Sequence, residues 1–133
     1  MTREQKELLL KDLCARLPYG VKISDDECDT VNVVGIHKTA IIIPYAGITR
    51  TIQVDKCKPY LFPLSSMTEE QLYNNPIGFS QILTIKADRD WENITINRRA
   101  YYKLVDWLNK NHFDYRGLIE NGLAIDATGL NIY

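Results

Sequence analysis

Cys57, His112 and Asp114 supply the residue types of a thiol nucleophile, a base and the acid that orients it. Such sets meet in space rather than in sequence, so their separation does not exclude them. Nothing in their spacing supports one, and Cys57 reads better as a small buried residue where a strand ends. His112 stands near the end of a helical pattern, where the dipole favours its cationic form, and Asp114 is placed to cap the next element. A second cluster, Asp25-Asp-Glu-Cys-Asp29, puts four carboxylates in five residues. It lacks the ligand spacing and the glycine of a calcium loop and reads as a solvated turn. The third cluster is cationic. Arg98 and Arg99 fall in a first helical turn, with Lys103 one turn on. Cations there oppose the helix dipole and call for an offsetting charge. Asp88, Asp90 and Glu92 are near enough in sequence to provide it. The functional alternative is an anion or phosphate held by Arg98, Arg99 and Lys103. The chain has no phosphate-binding Gly-rich loop, no G-x-S-x-G and no metal-type pairing of its two histidines. The sequence gives no reason to expect an enzyme, a metal or a cofactor.

The elements around these residues follow from periodicity. Thr2 and Gln5 have capping-box spacing at the head of a helix reaching Leu17. Leu10, Leu13, Cys14 and Leu17 make its expected buried face, with Glu7–Lys11 and Asp12–Arg16 as i, i+4 pairs on the solvated side. Pro18 stops the helix and Gly20 lets the chain reverse. Short β-rich runs follow at Val21–Ser24, Thr30–Ile36, Ala40–Ile43 and Ile48–Val54. Ala40–Ile43 reads as buried on both faces. In Ile48–Val54 the apolar face is broken only by Arg50. Short turns between these runs predict an antiparallel meander, which can close into an SH3-like small barrel or remain an open sheet under the first helix.

Lys58–Thr68 divides the chain. Pro59 and Pro63 fix φ and lack N–H groups, so the segment reads as a stiff apolar strap across the core rather than a sheet interior. Thr68 with Gln71 and Met67 with Leu72 then have the spacing of a capping box and a hydrophobic staple. Ile77–Asp90 fits a helix or a strand. Asn97 caps a helix to Asn111, with a second staple at Ile96 and Tyr101 and a buried face of Tyr101, Leu104, Val105 and Leu108. Asp114 is expected to cap a last short helix, Tyr115–Asn121, closed by Gly122. Leu123–Ile125 and Leu130–Tyr133 are short apolar pieces with a turn at Thr128-Gly129. Leu13, Ile42, Ile52, Leu104 and Leu108 are predicted core residues. The expected fold is α+β in a single domain, 1–133: a helix and β-meander over 1–57, the strap over 58–68, and a mainly helical part over 69–133.

Composition bounds the function. With 133 residues, 45% apolar and 25% charged, the chain can bury a full core. A net charge of −1 argues against a general nucleic-acid binder. The charged start has no apolar signal region behind it, and the longest apolar run is too short for a bilayer, so a soluble cytoplasmic protein is expected. Its three dispersed cysteines are expected to be reduced thiols.

Three blocks stand out together: Met1–Lys22, Cys57–Thr68 (with Lys58-Pro-Tyr-Leu-Phe-Pro-Leu-Ser-Ser-Met-Thr68) and Asp106–Ile125 (with Trp107-Leu-Asn-Lys-Asn-His-Phe-Asp-Tyr-Arg-Gly-Leu-Ile119). In these the chain resembles a set of small uncharacterised proteins of gut Bacteroides-type bacteria and their phages or mobile elements. The resemblance implies that origin and no chemistry. The leading functional expectation is a non-enzymatic protein-interaction or accessory module with a protein partner. Its recognition surface would comprise Tyr60 and Phe62 on the strap and Tyr115 and Arg116 after the cap, since tyrosine and arginine on rigid backbone are favoured hot-spot types. The competing reading of these residues is that they pack the strap onto the following helices. The competing function is a small-barrel nucleic-acid binder using Lys38, Arg50, Arg98, Arg99 and Lys103 with nearby tyrosines.

Overall fold

Helix α1 (Arg3–Arg16) begins at the predicted capping box: Gln5 N–H donates to the Thr2 hydroxyl, and Thr2 N–H donates to the Gln5 side chain. The structure is a computed structural model describing residues 1–27, 30–87 and 97–133. Cys28, Asp29, Asp88, Asp90, Glu92 and Ile96 of the readings above lie outside them. The face α1 buries is Leu9, Asp12, Leu13 and Arg16. This is the same i, i+3, i+4, i+7 template as the predicted face, rotated by one residue. Cys14 is therefore exposed rather than buried, and the Asp12–Arg16 pair is buried rather than solvated.

The strands are β1 (Lys22–Asp25), β2 (Val31–Asn32), β3 (Gly35–His37), β4 (Ala40–Tyr45), β5 (Ile48–Gln53) and β6 (Cys57–Pro63). After them come α2 (Glu69–Tyr73), α3 (Phe79–Ala87), α4 (Arg98–Lys110), β7 (Phe113–Asp114) and β8 (Ile125–Asp126). The fold is α+β. Of the four runs expected to make one meander, only the end of the second and the last two do so, as β3-β4-β5 joined by two-residue turns, while β1 and β2 belong to another sheet. The other strands form a five-stranded sheet, ordered β2-β1-β6-β7 with β8 also on β6, so among the described residues the strands make two sheets and no closed barrel. In β4 the alternation is strict: Ile41 and Ile43 are fully buried and Ile42 is only partly so, which corrects both the two-faced burial and the choice of Ile42 as core.

The proline segment is the central strand of the larger sheet, not a strap laid over it. Its prolines are tolerated because of where their nitrogens point. Val33 N–H donates to the Val21 carbonyl (3.0 Å), so Val21 faces β2, Lys22 faces β6 and Ile23 faces β2 again. Pro59, opposite Ile23, therefore turns its nitrogen away from β1. Phe62 N–H donates to the His112 carbonyl (2.8 Å), so Pro63, the last residue of the strand, turns away from β7. No ladder bond to these neighbours is lost at either proline.

Alternation along β6 also divides the core. Cys57 and Leu61 belong to one cluster, with Leu9, Leu13, Ile23, Ile41, Ile43 and Leu118. Phe62 and Leu64 pack against a second, built from Met67, Leu72, Ile82, Ile85, Leu104, Leu108, Phe113 and Tyr115. The staple pair Met67 and Leu72 is buried in that second cluster, and the Thr68–Gln71 and Asn97 caps are formed. Tyr115–Asn121 is not a helix. Asp114 accepts N–H bonds from Arg116, Leu118 and Ile119, and Gly117 takes φ +72°, so the chain runs through successive turns. Among its described residues the part after β6 therefore carries α2, α3 and α4 but closes on short strands.

Candidate interaction surface

None of the four residues expected to form a recognition surface is largely exposed. Tyr60 and Tyr115 are buried, and Phe62 and Arg116 are half-buried. Tyr115 lies between two guanidiniums, Arg116 at 4.7 Å and Arg16 at 5.3 Å from its ring centroid, and its hydroxyl donates to Asn109 Oδ1 (2.7 Å). Arg16 is fully buried: Nε donates to Asp12 Oδ2 (2.7 Å) and Nη2 to the Phe113 carbonyl (2.6 Å). Arg116 Nη1 donates to the other Asp12 oxygen (2.9 Å). This polar seam ties α1, in the first cluster, to the Phe113–Arg116 stretch. Two cations share one carboxylate, both lie by the Tyr115 ring, and Arg16 Nη1 is buried with no hydrogen-bond partner among the described residues.

Cys57, His112 and Asp114 do not make a catalytic set. The Cys57 thiol donates to the Val54 carbonyl (3.4 Å), and burial pushes its pKa up to about 12. Asp114 is committed to backbone N–H groups. His112 stacks on Tyr133 with centroids 3.5 Å apart and planes at 10°. Burial, helped by Arg16 and then Lys22, lowers its pKa to about 4, so the cationic form expected from the helix end is not the one present near neutrality. Among the described residues no three His, Cys, Asp or Glu side chains gather so as to hold a metal.

Arg98, Arg99 and Lys103 are exposed on the first turns of α4, and Arg99 and Lys103 line an open groove with Pro76, Asn97 and Ala100. Tyr102 beside them is exposed, with Tyr101 edge-on at 6.2 Å. Lys38 lies in the β3–β4 turn and Arg50 is held elsewhere, so the five cations of the nucleic-acid reading are not one patch.

The exposed apolar feature that sequence reasoning missed is the β4–β5 hairpin tip. Ala46 and Gly47 both have positive φ, the two-residue turn that matches strand twist. Cross-strand pairs Ile41–Ile52, Ile43–Arg50 and Tyr45–Ile48 lie on one face. Ile41 and Ile43 are fully buried, yet Tyr45 is 46% and Ile48 71% exposed. The core-facing row thus runs out beyond the core. At its rim Arg50 donates to Asp25 (2.5 Å), pairs with Glu27 (2.7 Å) and lies 5.2 Å from the Tyr45 ring centroid. The clean alternation of Ile48–Val54 carried this signal. What sequence could not supply is where the core beneath that face ends.

Compared with protein-family models, with curated proteins and with solved structures, the chain matches none. No helix of the described residues is long and apolar enough to cross a membrane.

Proposed function

We propose that the chain is a non-enzymatic protein-interaction module of the cytoplasm, serving a phage or mobile element, and that it recognises its partner through the β4–β5 hairpin. The observation that carries this is the Tyr45–Ile48 pair, exposed on the face that buries Ile41 and Ile43. Tyrosine and arginine are favoured hot-spot types, and here Arg50 is ion-paired beside the Tyr45 ring. The test is site-specific photo-crosslinking in the native host, with the crosslinker at Ile48 or, as control, at the exposed Tyr73 on α2. A discrete protein adduct from position 48 alone, lost with Arg50→Ala, supports the reading. Equal labelling from both positions refutes it.

A second reading, nucleic-acid binding, rests on the exposed cations of α4 with Tyr102 at their side. Affinity for a phosphate backbone depends on counterion release. The near-neutral chain and the dispersal of its cations make weak binding the expectation. Sub-micromolar binding at physiological salt, removed by Arg98→Ala with Arg99→Ala, would move the function to this class.

A further inference from the structure

Continuing the β1–β6 register one position past Ile23–Pro59 pairs Lys22 with Tyr60. The facing pattern set by Val21 and β2 turns the Lys22 N–H toward β6, so a direct bond from it to Tyr60 belongs here. The bond donated by Lys22 is not direct. Lys22 N–H donates to the Tyr133 hydroxyl (3.0 Å), and that hydroxyl donates to the Tyr60 carbonyl (2.9 Å). A side chain from the far end of the numbering takes the place of one backbone bond.

The same side chain carries most of what holds its segment. The Tyr133 ring stacks on His112 and lies 6.1 Å from the Phe62 ring, and Lys22 Nζ sits 5.7 Å from its centroid while donating to the Ile132 carbonyl (2.8 Å). Leu130 and Asn131 are exposed, and Tyr133 itself keeps 41% of its surface exposed. The donor and acceptor that the hydroxyl bridges are complementary to each other, so they can join when it departs. The His112 ring and the edge of Phe62 would then become accessible.

We infer that residues 130–133 form a displaceable latch, in which the Tyr133 hydroxyl substitutes for the Lys22–Tyr60 rung and its departure lets β1 and β6 close directly. The fold therefore has two states of the sheet at this point, differing by one inserted hydroxyl and by access to His112. This inference is independent of the hairpin surface. The groups that face His112 and bias the two states are Arg16 of α1, Lys22 of β1 and Tyr133 itself.

The test is NMR on the intact chain, combining relaxation dispersion with hydrogen exchange, with Tyr133→Phe and Tyr133→Ala. In the unsubstituted protein the ring signals of Tyr133 and His112 should show exchange with a minor open state. In Tyr133→Ala the Lys22 amide should stay protected through the direct rung, and His112 should titrate closer to its ordinary value. Tyr133→Phe keeps the ring and removes both hydroxyl bonds, so it should open more often while His112 stays shielded in the closed state. The latch is overturned if the Tyr133 and His112 ring signals show no exchange with a minor state. It is equally overturned if the Lys22 amide of Tyr133→Ala loses protection while Ile23 keeps it, because Tyr133 would then be a fixed pin.

Discussion

Arg116 Nη1 lies 2.9 Å from Asp12 Oδ1, a contact across 104 residues of sequence. The other Asp12 oxygen is taken by Arg16, and neither the aspartate side chain nor that of Arg16 has any solvent exposure. The carboxylate is the counter-charge for both guanidiniums. Replacing it by Asn keeps the shape and strands two cations, one of them fully buried. Losing one member of such a buried group costs about 3–5 kcal/mol. Asp12→Asn is expected to lose that much by urea denaturation at constant m-value. A loss below about 1 kcal/mol would show that the seam does not hold the two core clusters together.

This seam shows why parts of the fold were legible in sequence and others were not. Caps are local, and Thr2–Gln5, Thr68–Gln71 and Asn97 behaved as their spacing implied, as did the buried Leu13, Leu104 and Leu108. The same i, i+4 spacing describes Asp12–Arg16 whether the pair faces water or the interior. Only Phe113 and Arg116, about a hundred positions away, decide that. Pro59 and Pro63 misled for a related reason. Local chemistry says that a proline cannot donate, but whether a donor is needed depends on which way β1 and β7 meet that strand. Tyr60 and Tyr115, suitable in type for a binding surface, are enclosed by elements that sequence alone does not bring to them.

His112 makes stability depend on pH in a defined window. Its folded pKa, lowered to about 4 by burial and two neighbouring cations, lies below the ordinary value of 6.5. Above that ordinary value both states are neutral and the group contributes no pH dependence. As pH falls between the two values the unfolded chain takes up a proton that the folded chain refuses, so stability declines. Below the folded value both states are protonated and the loss from this group levels off. Melting temperature against pH should therefore fall from pH 6.5 toward 4, and His112→Gln should flatten that decline. An unchanged slope in the variant would place His112 in a more solvated setting than its stack on Tyr133 provides.

The thiols should separate by rate. Cys14 is exposed on α1, whereas Cys57 is buried, donates to Val54 and has its pKa raised to about 12 by burial. Thiolate is the reactive form, so iodoacetamide at pH 8 should label Cys14 and leave Cys57 untouched in the folded protein. Peptide mapping reads this directly. Comparable labelling of both would mean that the end of β6 opens readily.

Leu104 and Ile48 are expected to give opposite results under the same substitution. Leu104 is fully enclosed on α4, in the cluster with Leu108, Phe113 and Tyr115. Truncating a leucine in such a place removes transfer energy and leaves a cavity, so Leu104→Ala should cost about 2–5 kcal/mol. Ile48 is the more exposed member of the hairpin pair, and its side chain has little burial to lose. Ile48→Ala should stay within about 0.5 kcal/mol of the parent, as exposed substitutions do. Partner crosslinking should show the reverse order, with Ile48→Ala abolishing the adduct formed by a crosslinker placed at Tyr45 and Leu104→Ala retaining it wherever the chain is still folded. An Ile48→Ala variant that melts several degrees lower would place that side chain in the scaffold, and the recognition surface would then have to lie elsewhere than on this hairpin.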